Sequence, residues 1–465
     1  MNPELTNYKH PSTYALSNIL ESITGKKEWY KKILDNEIVK KWRSELQNVP
    51  EFEMALRMLM ASIQGSDLHL ERCRYQSGEH CDDCYNKYKM QLMNEYKNDL
   101  HVDWEKYSEE YLEDLAEDNM SDYLFENDLK CPHALCDCIG PNDKLEDYII
   151  YQHDLLSNDQ KMNLKLAINE MMNNTSVDWH PGSNQRVRDI IHPSLYCYVA
   201  ANQTEEFRYQ WLPSNFKVED NGKVTLQSYI NNLDTHKFPN FIPLIESTLE
   251  KFINPFKEVI KKDLTNIQVI VKIASTHLDE SKPTFEGGSW HIEGMPYEHI
   301  IATGIQYISV SGITDSYLEF RKPTIINEDE LEYPQSNEKY TKHHYGLESH
   351  WDGQMNKYLG LIKCDEGASV IFPNTLQHHV KDFKLNDKKG ERIILAFFLI
   401  DPEHRIISTH DIPPQQEFIQ YAGERKVMTT EEACYYRERL MLYRKYFVDE
   451  LNKKIYEREY SLCEH

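Results

Sequence analysis

The sequence predicts an α+β fold with a double-stranded β-helix core of the jelly-roll, cupin-like kind, a large helical N-terminal region and a C-terminal helix. Three observations lead to this prediction. Apolar residues recur at helical spacing through about the first 180 residues. From about residue 187 the chain becomes a series of short segments rich in Val, Ile, Phe and Tyr, separated by turn-forming residues. A helix-capping pattern then precedes the last apolar stretch with helical spacing.

The N-terminal region, residues 1–186, is predicted to be mostly helical. Leu16, Ile19 and Ile23 recur three and four residues apart, so they share one side of a helix. A further helix is expected over residues 158–173 for the same reason. We expect this region to wrap on the core that follows it.

The core, residues 187–428, is predicted to contain the strands. Ile267, Val269, Val271 and Ile273 alternate with other residues, which is the period of a strand with one buried face. Several similar apolar segments follow at modest spacing, separated by Gly, Pro, Asn and Asp. This arrangement is typical of a double-sheet jelly roll.

A helical insert is expected inside the core, within residues 228–262. Ile245 and Leu249 are at helical spacing, and Pro243 suits a first helical turn. Pro255 is expected to end or kink this helix, because proline lacks the backbone N–H that the helix needs.

The chain closes with a predicted helix in residues 429–465. Thr429 and Glu432 make a Thr-x-x-Glu capping box ahead of Leu440 and Phe447, which lie seven residues apart. We expect this helix to pack on the core. An exposed helix that binds a partner is the alternative.

Composition restricts the classes of function. The chain has 465 residues and a formal net charge of −24, which argues against general affinity for nucleic acid, since that needs clustered Lys and Arg. No apolar run approaches the roughly 20 residues that cross a bilayer. The start of the chain lacks a basic segment followed by an apolar one, so no secretory signal is expected and a cytoplasmic location follows. Whether a protein partner exists is left open.

The cysteines of the N-terminal region include a candidate zinc site. Cys81 and Cys84 are spaced so that two thiolates can share one tetrahedral ion. The other half, Cys136 and Cys138, is tighter than usual. A structural zinc site and free thiols both remain interpretations of this pattern.

The residues that carry chemistry are His291, Glu293, His378 and Arg392. In an extended chain, His-x-Glu sends both side chains to the same side, so one imidazole and one carboxylate can hold a single ion. His378, at the start of a later strand, completes a two-histidine, one-carboxylate set, which suits Fe(II) with open positions for a 2-oxo acid and O2. The guanidinium of Arg392 can take the distal carboxylate of 2-oxoglutarate in a bidentate pair. His379 competes with His378, because only one of two adjacent strand residues points inward.

Further candidates lie around this set. Tyr307 is interpreted either as a hydrogen-bond donor to the cosubstrate or as a core residue. Arg321 is interpreted as a binder of a cosubstrate or substrate carboxylate, or as a surface cation. Trp290 is expected to wall the iron pocket, with simple packing as the alternative. His192 reaches the mouth of the site in one interpretation and has a local structural role in the other.

The whole chain, from about residue 23 to 447, resembles a eukaryotic domain-of-unknown-function family, number 4246, which is related to 2-oxoglutarate/Fe(II)-dependent oxygenases. The motifs that carry the resemblance are ITGKKEWYKKILDNEIVKKW, DIIHPSLYCYV, QWLPS, SYINNL, WHIEGMPYEHIIATGIQY, FPNTLQHHVKDFKL, RIILAFFLIDP and PPQQ. The resemblance implies His291, Glu293 and His378 as iron ligands and Arg392 as the 2-oxoglutarate anchor. Glu293 stands where the wider superfamily more usually has aspartate.

The resulting hypothesis is a 2-oxoglutarate- and Fe(II)-dependent dioxygenase, with O2 as oxidant, that hydroxylates a small molecule; desaturation and ring closure remain alternatives. A small molecule is expected because the core has extensive helical cover and no basic groove. Two other hypotheses stay open. One is a cupin-like metalloenzyme that does not use 2-oxoglutarate. The other is a non-catalytic binding scaffold with a vestigial metal site.

Overall fold

The computed structural model describes residues 10–27, 29–46, 49–63, 82–98, 107–126, 144–325, 347 and 352–461. The chain forms two compact units. One comprises Met1–Ser62, Asp143–Glu332 and Trp351–His465, and the other Ile63–Asn142 and Tyr333–His350. The division of the sequence at residues 186 and 428 stays a prediction.

The helices begin where the sequence supplies hydrogen-bonding caps. Ser157 with Gln160, and Thr429 with Glu432, form capping boxes in which each side chain accepts the other residue's backbone N–H, so the capping box expected at Thr429 is confirmed. The helix expected over residues 158–173 is also confirmed. In chain order the helices are α1 (Pro11–Thr24), α2 (Trp29–Lys32), α3 (Asn36–Glu45), α4 (Pro50–Ile63), α5 (Asp82–Asn98), α6 (Glu109–Glu126), α7 (Asn158–Asn174), α8 (Phe241–Ile260) and α9 (Thr430–Leu451).

The second compact unit contains α5 and α6 among its described residues. The two helices share an apolar cluster that includes Leu92, Met93 and Leu112. An ion pair joins Lys89 to Glu117, with Nζ 2.8 Å from Oε1. This unit is therefore helical in its described part, as the sequence of the N-terminal region predicts.

The strands form one large antiparallel sheet, one smaller three-stranded sheet and several short pairs. They are β1 (Ile150–Gln152), β2 (Asp178–Trp179), β3 (Val187–Ile191), β4 (Tyr198–Val199), β5 (Tyr209–Gln210), β6 (Ser214–Val218), β7 (Val224–Leu226), β8 (Asn266–Asp279), β9 (Thr284–Phe285), β10 (Ile300–Ser311), β11 (Tyr317–Pro323), β12 (Asp352–Gln354), β13 (Asn356–Lys363), β14 (Ser369–Pro373), β15 (Gln377–Val380), β16 (Phe383–Lys384), β17 (Lys389–Ile400) and β18 (Glu459–Ser461).

The chain passes back and forth between the two sheets. The larger sheet has the order β1-β14-β10-β17-β8-β3-β2, with β6 and β7 joined to it at β8. The smaller sheet has the order β13-β11-β15. From β8 onward the chain visits the larger sheet at β10, β14 and β17, and the smaller sheet at β11, β13 and β15. Consecutive strands therefore often face each other across the core instead of pairing.

Both faces of the larger sheet are buried. Its outer face packs on α7 and α8, and Gly304 is required there, because a Cβ atom at that position would lie 2.6 Å from the ring of Phe252. Its inner face shares an apolar cluster with the smaller sheet, in which Ile270 lies with Phe320 and Leu359. The expectation that β8 has one buried face is therefore corrected: a helix covers one side and the smaller sheet covers the other.

The helical insert is shorter than expected and is not ended by its internal proline. It occupies Phe241–Ile260, while residues 228–240 form turns. Pro255 costs one backbone hydrogen bond, yet the helix continues for five residues beyond it. The neighbouring Phe252 and Phe256 are fully buried, and their packing offsets that loss.

The C-terminal helix packs on the core, as expected. Leu440 enters the apolar cluster between the sheets. Arg444 lies 3.7 Å from the ring centroid of Trp211 and forms an ion pair with the fully buried Glu298. No helix in the described part of the chain is long and apolar enough to cross a membrane.

Candidate metal centre

Backbone pairing brings His291 and His378 together across 87 positions of sequence. Each donates its backbone N–H to the carbonyl of the other, over 3.2 Å from His291 and 3.0 Å from His378. Asn374 fixes the chain beside them: it accepts the N–H of Glu293 and donates to the Glu293 carbonyl, each over 2.8 Å. The bridge to β15 and the contacts of Asn374 therefore set the spacing of all three residues.

The three side chains converge at one point. Glu293 Oε1 lies 3.7 Å from His291 Nε2 and 3.6 Å from His378 Nε2, and the ring centroids of the histidines are 4.5 Å apart. All three ligand atoms fall within 4.8 Å of one another. Glu293 and His378 are buried. Two nitrogens and one carboxylate oxygen at this separation are a donor set that suits a divalent transition ion.

The ring of His291 is oriented for ligation. Its Nδ1 lies 2.8 Å from the backbone oxygen of Ser289, and only a protonated Nδ1 can donate there. In the neutral ring the lone pair then resides on Nε2, which faces Glu293. A carbonyl that holds the far ring nitrogen in this way is the usual support for a histidine ligand.

The charges in the group are strongly coupled. Burial by itself raises the pKa of Glu293, but the nearby imidazoles of His291 and His378 outweigh it and hold that pKa well below the usual range. Burial, helped by repulsion from His291, lowers the pKa of His378 to about 4. Glu293 is therefore anionic and His378 neutral near pH 7, which are the states that bind a metal ion.

Arg392 lies on the inner face of the larger sheet. It is 6% exposed, its guanidinium carbon lies 5.1 Å from the ring centroid of Tyr307, and its Nη2 is 3.9 Å from the thiol of Cys364. Among the described residues it has no carboxylate within ion-pair distance, and its Nε has no hydrogen-bond partner. A buried cation without a counter-charge is costly, so its environment favours an anionic ligand.

Tyr307 borders the same interior. It is fully buried, and its hydroxyl lies 3.2 Å from Cys364 Sγ. Burial, reinforced by Cys364, raises the pKa of Tyr307 well above its ordinary value, so the hydroxyl keeps its proton. A neutral hydroxyl beside Arg392 is available as a hydrogen-bond donor, and that role stays a prediction.

Arg321 and Trp290 do not face this interior, which corrects their interpretation as cosubstrate and pocket residues. Phe320 packs inward on Phe372, whereas Arg321 Nε donates to Oε1 of Gln377 over 2.8 Å. Gln377 is the strand neighbour of the inward-facing His378, so Arg321 lies on the opposite face. There Arg321 forms an ion pair with Glu457 over 2.8 Å. The ring of Trp290 stacks on that guanidinium at 4.6 Å. Packing on the outer face is therefore the role that the structure gives to both residues.

His379 shares that outer face, while its neighbour His378 points inward. His379 lies 4.2 Å from the ring of Trp290 and forms an ion pair with Glu319. Its partners therefore lie away from Glu293. The alternation of strand side chains separates the two adjacent histidines in this way.

His192 belongs to a second group of metal-binding residue types, with His180 and Asp189. It is buried, and whether it reaches the mouth of the first group stays a prediction. Sequence reasoning missed the other two members. The Asp-x-x-His spacing of Asp189 and His192 was the available signal, but His180 comes close only through the pairing of β2 with β3.

The cysteine pattern cannot be placed. Cys81, Cys136 and Cys138 lie outside the described residues, and only the backbone of Cys84 is described, at the start of α5. The structural zinc site stays a prediction.

Three solved bacterial structures show a low similarity to this chain. IDO from Bacillus thuringiensis is 9% identical, with 55% of this chain and 91% of that one covered and a TM-score of 0.31. A prolyl-4-hydroxylase from Pseudomonas putida is 8% identical, covering 55% and 94%, at 0.26. An oxidoreductase of the 2OG-Fe(II) oxygenase family from Burkholderia pseudomallei is 7% identical, covering 54% and 86%, at 0.28. All three TM-scores lie below 0.5, so these likenesses define neither fold nor reaction for this chain.

Comparison of the sequence with curated proteins returns no match. Two family profiles do match. The N-terminal domain of unknown function DUF4246 matches residues 14–45, and the protein of unknown function DUF4246 matches residues 200–266 and 260–421. The matched stretches include the segments that carry His291, Glu293, His378 and Arg392. The resemblance found in the sequence is thereby confirmed, and the chain belongs to the DUF4246 family.

Proposed function

We propose that this protein is a non-haem Fe(II) enzyme that uses 2-oxoglutarate and O2 to hydroxylate a small molecule. One observation carries the proposal: two imidazoles and a carboxylate meet within 4.8 Å, beside an interior that also holds a buried, uncompensated guanidinium. The three residues supply the donor set of a metal with open positions. Arg392 supplies a charge that fits the far end of a dicarboxylate.

The architecture supports this proposal as a double-stranded β-helix. The alternation of the chain between the larger and smaller sheets from β8 to β17 supports a jelly-roll interpretation. His291 and His378 lie along the smaller sheet, and Arg392 lies on β17 of the larger one.

The metal and the cosubstrate have defined places in this proposal. His291, Glu293 and His378 would hold Fe(II), and Arg392, with Tyr307 beside it, would hold the distal carboxylate of 2-oxoglutarate. When bound, the iron supplies the oxidative decarboxylation of 2-oxoglutarate to succinate and CO2 that is coupled to oxidation of a substrate C–H bond. The chain itself keeps Glu293 ionised, orients the His291 ring through Ser289 and excludes water from the interior.

Lys272 contributes to the charge of the site. It lies on β8, and its positive charge lowers the pKa of Glu293 and of the more distant Asp189. A small molecule is the substrate class that we favour, because α7, α8 and α9 cover the sheets and the net charge of −24 disfavours nucleic acid.

The test is succinate formation by the full-length chain. The protein is reconstituted with Fe(II), supplied with 2-oxoglutarate and O2, and succinate is measured as substrates are added. We expect slow succinate release without substrate and faster release with the correct one. His378→Ala should abolish the release, whereas His379→Ala, its neighbour on the other face, should preserve it.

Two outcomes would replace the proposal. Iron binding with no 2-oxoglutarate turnover and no effect of Arg392→Ala would favour a cupin-like metalloenzyme that does not use 2-oxoglutarate. Failure to bind Fe(II) in an anaerobic titration would favour a non-catalytic scaffold.

A further inference from the structure

A second group of metal-binding side chains lies on the inner face of the larger sheet. Paired residues of antiparallel strands direct their side chains to the same face. Asp189 on β3 pairs with Ala274 on β8, and two residues along β8 Thr276 pairs with Arg392. Asp189 therefore lies on the sheet face that also carries Arg392, and none of the three residues of the group is a ligand in the candidate iron site.

The geometry of this group is that of a compact three-donor set. His180 Nδ1 lies 3.0 Å and 3.2 Å from the two carboxylate oxygens of Asp189. His192 Nε2 lies 4.0 Å from Asp189 Oδ1, and the two histidine rings are 5.0 Å apart. One ligand atom from each residue falls within 4.8 Å of the others.

The charge of Asp189 is left without a strong partner. Its side chain is 2% exposed, and among the described residues no Lys or Arg lies within 4 Å of its carboxylate. Its close ionic contacts are with the two imidazoles alone. A buried carboxylate needs a cation or several strong donors, and an imidazole beside it can offer a metal ion a nitrogen lone pair.

We propose that His180, Asp189 and His192 bind a second divalent transition-metal ion, distinct from the ion at His291, Glu293 and His378. Two imidazole nitrogens and one carboxylate suit Zn(II), Co(II), Mn(II) or Fe(II). This site goes beyond the proposed oxygenase function and does not depend on it.

Loading the site changes two hydrogen bonds. His180 Nδ1 lies 3.0 Å from Asp189 and shares a proton with it, so this contact opens when the carboxylate binds an ion. The backbone N–H of Ser194 donates to His192 Nδ1 over 3.2 Å, so the proton of that ring is on Nε2. Ligation through Nε2 moves that proton to Nδ1 and opens the Ser194 contact. One weak neutral hydrogen bond is then exchanged for a metal–nitrogen bond, which is much stronger. His180 is the most accessible ligand, with its side chain 27% exposed, and it provides the side from which an ion enters.

The test is the stoichiometry of Co(II) binding to the full-length, metal-free protein. Bound cobalt is measured by equilibrium dialysis, and the ligand-field spectrum reports its donors. The variants are His180→Ala, His291→Ala and the double variant, with His410→Ala, an exposed histidine outside both groups, as the matched control. Thiolate-to-cobalt charge-transfer absorption separates any ion held by cysteines from the two histidine sites.

We expect wild type and His410→Ala to bind the same amount of cobalt. Each single variant should lose one equivalent, and the double variant should lose two. Asp189→Asn, which keeps the shape of the side chain, should weaken the second site at least tenfold with the fold preserved by circular dichroism. Unchanged stoichiometry and affinity in His180→Ala would overturn the second site. If His291→Ala alone binds as much cobalt as wild type, that result would count against the iron site, and the second site would be unaffected.

Discussion

The two faces of the smaller sheet carry similar residue types that have opposite surroundings. On the outer face, Arg321 pairs with Glu457 and His379 pairs with Glu319. Toward the interior, His378 faces Glu293, whose other ionic neighbour is also a histidine. Across that interior, Arg392 has no carboxylate partner among the described residues. The difference teaches that residue type alone does not identify a binding site. A histidine or arginine is a candidate for binding a metal ion or a ligand when its charge or lone pair has no partner within the protein.

The largest expected effect is on metal binding by the inner face. His378→Ala removes a ligand, and because loss of a supporting residue around a metal ligand already costs about 10- to 100-fold in affinity, we expect more than about 100-fold weaker Fe(II) binding. Anaerobic isothermal titration calorimetry measures it. His379→Ala is the matched control, and its Fe(II) affinity should stay within about twofold of wild type. Equal losses of affinity in the two variants would contradict the assignment of the metal site to the inner face.

Arg392→Ala should separate cosubstrate binding from metal binding. Removal of one partner of a buried charge pair costs about 2–5 kcal/mol, so we expect 2-oxoglutarate to bind about 100-fold more weakly. Fe(II) affinity should change little, since Arg392 does not contact the triad. Arg392→Lys keeps the charge without the planar fork and should recover part of the loss. An unchanged 2-oxoglutarate dissociation constant in Arg392→Ala would show that Arg392 does not bind the cosubstrate.

Arg321→Ala should show the reverse pattern, with a stability defect and no binding defect. It removes a largely buried ion pair and a cation–π contact with Trp290, and we expect the free energy of unfolding to fall by about 2–3 kcal/mol. Urea denaturation monitored by circular dichroism measures the change. Weaker 2-oxoglutarate binding by the folded variant would contradict a purely structural role and would support cosubstrate binding by Arg321.

Tyr307→Phe should have the smallest effect. It keeps the ring beside Arg392 and removes one hydroxyl, and a single neutral hydrogen bond is worth about 0.5–1.5 kcal/mol, so 2-oxoglutarate should bind about two- to tenfold more weakly. Calorimetric titration of 2-oxoglutarate into the Fe(II)-loaded protein measures the change. No change would assign Tyr307 to core packing alone.

Local signals in the sequence were sufficient for much of the fold and for two of the three triad residues. The capping box at Thr429 and the helical spacing of residues 158–173 act over a few residues, and both helices form where expected. The alternation of side chains in an extended chain, another local rule, places His291 and Glu293 on the same side. Their meeting with His378 was inferred from the ordered set and from family resemblance, since nothing local links positions 87 residues apart.

What could not be predicted depends on register and long-range packing. The orientation of Arg321 follows from which face of β11 is turned inward, and an irregularity between Phe320 and Arg321 in the pairing with β13 makes such parity hard to infer. Pro255 remains within a helix because distant residues bury its neighbours. His180 and Asp189 meet because two short strands pair, and the strand propensity of their residues does not determine which strands pair.

The most direct test of the central claim is the metal-to-ligand charge-transfer band of the anaerobic protein with Fe(II) and 2-oxoglutarate, because that band requires both partners at one centre. We predict the band in wild type, His379→Ala and Arg321→Ala. At limiting 2-oxoglutarate, the band should be absent in His378→Ala and nearly absent in Arg392→Ala. A wild-type protein that shows no band, or a His378→Ala protein that keeps it at full intensity, would contradict the account.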